Sequence, residues 1–164
     1  MVAMTLLSDS IRVLSSLKEH GLKMAVAESC TGGMIGATVT SVPGSSEVFL
    51  GSAAVYSNEA KERILKVSHD TLVHYGAVSE ITAKEMVEGA IELFRSDVAV
   101  AVTGIAGPGG ATPEKPVGLV FIAVSNDEKT VVTRNHFNGD RESIRTQTVH
   151  TALYLLYQLI EGKI

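Results

Sequence analysis

Ala27-Glu28-Ser29-Cys30-Thr31-Gly32-Gly33 follows the apolar run Met24-Ala25-Val26 and precedes a helical pattern from Met34 to Val39. A short buried strand that runs into a hydroxyl, a glycine pair and then a helix is a strand–turn–helix unit, a building block of α/β folds. Such a turn sets a serine at a strand end, with helix N–H groups and the positive end of the helix dipole directed at the same place. That geometry suits an anion cradle or an activated nucleophile with its oxyanion hole, and the turn alone does not choose between them. It has neither the Gly-Lys-Ser/Thr ending of a nucleotidase phosphate loop nor the Gly-x-Ser-x-Gly pattern of a hydrolase elbow.

Working outward, Leu7, Ile11, Leu14 and Leu17 recur at helical spacing and Gly21 supplies a C-terminal stop. Lys23 to Ala27 is the expected first strand, Gly33 to Thr40 the helix after it, and Phe49 to Tyr56 the next strand. Ser57-Asn58 can cap a helix through Leu65; a loop then covers His69 to Gly76. Ser79 can cap a helix that carries Ala83, Val87, Ala90, Ile91 and Phe94 on one face. Asp97 to Thr103 is an apolar strand, and Val117 to Val124 and Thr130 to Phe137 form an antiparallel hairpin turned at Asn126-Asp127. Asp140 caps the last helix, with Ile144, Leu153, Leu156 and Ile160 facing inward. Buried strands alternating with helices, plus one hairpin, predict a three-layer α/β/α sandwich with a mixed sheet of about five strands.

The 164 residues suffice for one domain, 1–164, with a substantial core. A net charge of −4 without a Lys/Arg cluster argues against a dedicated nucleic-acid surface. Glu28, Glu47 and Glu59 lie near the turn, so an anionic ligand must be held by specific donors and not by the overall field. A single cysteine excludes an internal disulfide and a cysteine-based metal cage. The histidines lack ligand spacing, so no metal and no cofactor is expected. The run Met1 to Leu7 is too short for a secretion signal, and Asp9 and Arg12 break it. The apolar stretches are strand-sized, too short to span a membrane, and the expectation is a soluble cytoplasmic protein.

Three further segments bear on chemistry. Tyr56-Ser57-Asn58-Glu59-Ala60-Lys61 sits at a strand end and first helical turn, where Tyr56 and Lys61 can converge on Ser29 if the strands are neighbours. A serine needs a base to act at neutral pH, and lysine serves when burial lowers its pKa. Tyr56 would then orient the lysine or pass its proton. The plainer reading makes Tyr56 a sheet-edge packer and Lys61 a solvated helix residue. The run Thr103 to Gly118 places Gly104, Gly107 and Gly109 after a buried strand, where bare N–H groups can hold phosphate, with help from Thr103, Thr112 and Lys115. Arg141 and Arg145 stand one turn apart on the last helix and can clamp a phosphate, or pair with Glu142 and surface acids instead. Cys30 is a second candidate nucleophile, although a lone cysteine is more often a small buried hydrophobe.

Side by side, these blocks resemble the CinA C-terminal domain family, whose stand-alone form is nicotinamide-nucleotide amidase. The resemblance covers nearly the full length, through the 27–33 and 56–61 blocks, Gly76-Ala77-Val78-Ser79-Glu80, Thr103-Gly104-Ile105-Ala106-Gly107-Pro108 and Lys115-Pro116-Val117-Gly118. It implies hydrolysis of the nicotinamide mononucleotide carboxamide to nicotinic acid mononucleotide and ammonia by a metal-free serine–lysine pair, in agreement with Ser29 and Lys61. The substrate-binding set expected is Thr31, Gly32, Gly33, Thr103, Gly104, Gly107, Gly109, Arg141 and Arg145, and a homodimer is implied. Ser46, in Pro43-Gly44-Ser45-Ser46, is the alternative nucleophile; the oxyanion donors of its turn favour Ser29. Competing readings are a non-catalytic nucleotide-binding or competence-associated module, and an amidase for another carboxamide. The chain departs from the family pattern at Ser52, where glycine is usual, and at Lys66, where glycine is common.

Overall fold

Alternation along five strands sorts their side chains onto two faces, and the two faces recruit different helices. The computed structural model describes residues 2–164. In chain order it contains α1 (Val2–His20), β1 (Met24–Glu28), α2 (Met34–Thr40), a 3-10 turn (Ser45–Glu47), β2 (Phe49–Ala54), α3 (Asn58–Leu65), α4 (His69–Tyr75), α5 (Glu80–Phe94), β3 (Val98–Gly104), β4 (Leu119–Ser125), β5 (Thr130–His136) and α6 (Arg141–Ile160). The sheet order is β2-β1-β3-β4-β5. β1 runs parallel to β2 and β3, and β3-β4-β5 are antiparallel, so the sheet is mixed and helices cover both faces. The three-layer α/β/α sandwich is therefore the fold.

One face carries Met24, Val26, Val98, Val100, Val102, Val120, Ile122 and Val124, packed against Leu14 and Leu17 of α1, Ile35 of α2, and Leu153 and Leu156 of α6. Each such side chain stabilises the fold by about 1.5–3 kcal/mol when fully buried. The opposite face is lined by Ala27, Ala99, Ala101, Ala123 and Phe121, which meet Leu65 of α3, Leu72 of α4, and Ala83, Met86, Val87 and Ala90 of α5. Small side chains on this face let α5 lie close to the sheet. Gly89 then faces the Leu65 carbonyl where any Cβ would collide with it, so α3 beds directly on α5. That contact fixes the backbone that carries Lys61.

The strands begin and end within two residues of the expected bounds. Two expectations are corrected. Leu7 and Ile11 are exposed, and α1 instead buries Leu6, Val13, Leu14 and Leu17. Leu6 and Leu7 are adjacent, so periodicity alone could not choose the face; packing against α6 does. The segment His69–Tyr75 is a helix, not a loop. Glu85 of α5 holds its start, accepting from the Ser68 N–H at 2.8 Å and from Thr71 Oγ1 at 2.6 Å.

Candidate active site

The exit of β1 is pinned on both sides. The Val55 N–H donates to the Glu28 carbonyl at 2.8 Å, and the Ser29 N–H donates to the Val102 carbonyl at 3.1 Å. Because strand side chains alternate, Glu28 follows Met24 and Val26 toward α2, whereas Ser29 follows Ala25 and Ala27 toward α3. Ser57 caps α3 by accepting from the Ala60 N–H at 3.1 Å, which aims the first turn of the helix back at the strand ends.

Lys61 arrives there fully buried, at 1% exposure. Its Nζ lies 3.0 Å from Ser29 Oγ, 2.9 Å from the Val55 carbonyl and 3.3 Å from the Tyr56 carbonyl. No carboxylate pairs with it among the described residues. Burial without a counter-charge disfavours the ammonium and lowers the Lys61 pKa below its ordinary 10.5. The three partners also suit a neutral amine. Two N–H groups can donate to the two carbonyls, which only accept, and the lone pair is left facing a hydroxyl that can donate.

Glu28 is buried too, among donors. Its Oε1 accepts from Thr31 Oγ1 at 2.7 Å and the Ile35 N–H at 2.7 Å; Oε2 accepts from the Gly36 N–H at 3.1 Å and Ser52 Oγ at 2.7 Å. The first free amides of α2, expected to cradle a ligand or oxyanion, thus hold a carboxylate of the chain itself. Gly33, at φ 103°, turns the chain into α2. The Gly32 N–H donates to the Ser29 carbonyl at 3.1 Å and so closes the turn. The amides of Thr31 and Gly33 make no hydrogen bond among the described residues.

Two arginines approach from α6. Arg141 donates to the Gly107 carbonyl at 2.8 Å and to the Tyr56 hydroxyl at 3.1 Å. Arg145 donates to the Thr31 carbonyl at 2.8 Å, and its Nε is buried without a partner. Neither pairs with a carboxylate among the described residues, so both charges meet only neutral oxygens. Of these basic groups Lys61 meets Ser29 directly, Arg145 reaches the same turn at Thr31, and Arg141 reaches Tyr56 and the Gly107 loop.

Other expected site residues lie differently. The Tyr56 side chain is 63% exposed and turned to Arg141; only its backbone carbonyl reaches Lys61. Thr103 is buried and donates to the Ala77 carbonyl at 2.7 Å, so its hydroxyl braces the loop before α5. Gly104 lies so close to Val120 and the Leu119 carbonyl that a Cβ would overlap them; Gly109 has open space around it. Lys115 is turned away to the Tyr75 carbonyl at 2.6 Å. Ser46 is exposed, in the 3-10 turn before β2, and Phe49 of β2 is in register with Met24 at the start of β1. A whole strand length, roughly 16 Å at 3.3 Å per residue, separates that end of the sheet from Ser29. Cys30 points into the α1–α6 core, and burial pushes its thiol up to about 11. A thiol held that high stays protonated at neutral pH, the wrong form for a nucleophile.

Sequence reasoning missed the role of Glu28, which it treated only as one more acid near the turn. The signal was present: Glu28, with Thr31 three residues on and the start of a helix just beyond, places a carboxylate within reach of the first helical amides. Ser52, a departure from the family pattern, supplies the fourth donor. A surface cavity of about 590 Å³ lies elsewhere, between α5 and the β4–β5 turn, and is lined by Lys84, Glu88 and Asn126 among others. Volume is a poorer guide to chemistry here than the buried amine beside a hydroxyl.

A CinA-like protein of Thermotoga maritima is 48% identical over 151 residues, which cover 92% of this chain and 37% of that protein. The chain thus spans little more than a third of the length of such relatives. The competence/damage inducible protein CihA of Agrobacterium tumefaciens superposes with a TM-score of 0.92 at 41% identity, over 94% of this chain and 95% of that one. A CinA superfamily protein from Klebsiella pneumoniae matches at a TM-score of 0.92 and 31% identity, over 96% and 98% of the two chains. The family model described as the CinA C-terminal domain matches residues 8–160, a span that runs from α1 to the end of α6 and contains every residue placed around Ser29, and the chain belongs to that family.

Proposed function

We propose that the chain is a serine–lysine amidohydrolase that removes the carboxamide nitrogen of nicotinamide mononucleotide. The carrying observation is the 3.0 Å contact between Lys61 Nζ and Ser29 Oγ, with a buried amine that no acid pairs with among the described residues. Neutral Lys61 takes the Ser29 proton as Oγ bonds to the carboxamide carbon, and the carbonyl π electrons move onto its oxygen. The unbonded amides of Thr31 and Gly33 are the proposed donors to that oxyanion; one such donor is worth about 2.7–4 kcal/mol in known cases. The intermediate collapses, the C–N bond breaks, and Lys61 gives its proton to the departing nitrogen, which leaves as ammonia. A water, deprotonated by Lys61, then attacks the acyl-serine ester; the C–Oγ bond breaks, Lys61 returns its proton to Ser29 Oγ, and the acid leaves and ionises to the carboxylate.

The substrate phosphate is assigned to Arg141, with the Gly104–Gly110 loop beside it. Among the described residues the Arg141 guanidinium donates to the Gly107 carbonyl and the Tyr56 hydroxyl, and a phosphate can outcompete either for a charge-assisted bond. In this reading Tyr56 orients Lys61 through its carbonyl, and its ring forms the rim of the site. The proposed assembly is a homodimer.

The test is ammonia release from nicotinamide mononucleotide by the purified protein, with Lys61→Ala in parallel. Release by the wild type alone supports the amidase. Nucleotide binding with no release by either protein overturns it in favour of a binding module. Release from other carboxamides only would reassign the substrate.

A further inference from the structure

The mechanism above leaves one fully buried carboxylate beside the nucleophile without a task. Each oxygen of Glu28 faces one backbone N–H and one hydroxyl: Ile35 N–H with Thr31 Oγ1, and Gly36 N–H with Ser52 Oγ. The hydroxyls can rotate to donate or accept; the backbone amides can only donate. A glutamine amide in this socket would set its NH₂ against a backbone N–H in either orientation. The socket therefore suits a carboxyl group over an amide of the same shape.

Its four donors belong to two different pieces of chain. Thr31, Ile35 and Gly36 lie on the segment that leaves Ser29, whereas Ser52 lies on β2, three and four residues before the carbonyls of Val55 and Tyr56 that hold Lys61. One carboxylate thus joins the segment carrying the nucleophile to the segment carrying the acceptors of the base. We propose that Glu28 is a positioning residue that sets the Ser29–Lys61 distance from the opposite side of the sheet. It touches neither reacting atom; it acts through the turn and through β2. The inference rests on the serine–lysine reading.

The experiment uses the full chain as wild type and as Glu28→Gln, Thr31→Val and Ser52→Ala, each held well below its own melting temperature. Two rates are read: kcat and KM on nicotinamide mononucleotide, and the second-order rate of Ser29 labelling by a fluorophosphonate, followed by intact mass. Labelling needs an activated serine but not this substrate, so it separates failure of the substrate assignment from failure of the positioning role. Glu28→Gln is expected to lower both kcat and the labelling rate by about 10–100-fold with KM within about twofold, the size that an ångström of misplacement produces. Ser52→Ala and Thr31→Val are expected to lower both by a few-fold, and adding Ser52→Ala to Glu28→Gln should bring little further loss, because the two share one contact. A folded Glu28→Gln with wild-type kcat and labelling rate overturns the proposal, as does a change in KM alone. If Glu28→Gln does not fold, unchanged labelling in both Ser52→Ala and Thr31→Val overturns it.

Discussion

The two sides of the β1 exit each bury an ionisable group, and they do so in opposite ways. On the α2 side Glu28 meets four donors, two of them backbone amides, and every lone pair it needs is answered. On the α3 side Lys61 meets two carbonyls and a hydroxyl, and no carboxylate pairs with it among the described residues. A buried charge that is fully hydrogen-bonded rigidifies its surroundings. A buried amine without an anion tends to shed its proton and becomes a base. The contrast teaches that burial by itself does not mark a reactive group; the chemical type of its neighbours does.

The comparison is broken most sharply by removing the amine. Lys61→Ala is expected to lower kcat by about 10³–10⁴-fold while the fold stays intact by circular dichroism, a loss in the upper range for a general base. A variant that kept more than a tenth of wild-type turnover would return Lys61 to the class of ordinary buried residues. Removing the carboxylate should instead read out in stability. Glu28→Ala leaves two backbone amides and two hydroxyls without acceptors in a closed space, and a loss of about 2–4 kcal/mol in urea denaturation is expected. A loss below about 1 kcal/mol would mean that water replaces the carboxylate.

Titration sharpens the same contrast. The folded-state pKa of Lys61 is lowered by burial, and the unfolded value is the ordinary 10.5. Turnover should therefore rise with pH through the lowered value and level off above it, since the base works only when neutral. Stability carries the matching sign. Between the two values the unfolded chain binds more protons at this site than the folded one, so the Lys61 contribution to stability increases with pH across that window and is complete above 10.5. In Lys61→Met that increment should vanish from the pH dependence of unfolding free energy. An identical slope in both proteins would place the lowered pKa elsewhere.

Smaller effects test the surroundings. Arg141→Ala should raise KM for nicotinamide mononucleotide about tenfold and leave it unchanged for the phosphate-free riboside, which isolates the proposed phosphate contact. Equal changes for both substrates would make Arg141 a brace for Tyr56 and Gly107 only. At the far end of α3, Lys66 adopts φ 61° and ψ 26° as the helix C-cap, a left-handed conformation that costs an L-residue about 1–2 kcal/mol. Lys66→Gly should stabilise the protein by up to about 1 kcal/mol in the same denaturation assay, with turnover unaltered.

Much of this was legible in the chain. Alternating buried strands and capped helices state the sandwich, because the periods of 2 and 3.6 are local properties of the backbone; Ser57, Ser79 and Asp140 each cap the helix they precede, as their side chains allow. Ser29 and Lys61 were recognisable as chemical types. The short α4 was not legible, since seven residues give no repeat to read and Glu85 of another helix holds it in place. Nor was the buried face of α1, where adjacent leucines leave two apolar stripes to choose from.

By itself, then, the sequence determined the order and kind of the elements, the strand–turn–helix at Ser29 and the residue types able to do acid–base work, because these follow from interactions over a few residues. The tertiary structure alone decided that β2 lies beside β1, which carries Lys61 to Ser29 across 32 positions of chain. It decided that Ser46 belongs to the other end of the sheet and that Arg141 holds Tyr56 across 85 positions. It also decided that Glu28 and Ser29, neighbours in sequence, serve opposite sides. Whether a buried ionisable group is met by donors, as Glu28 is, or by acceptors, as Lys61 is, depends on parts of the chain that only folding brings together.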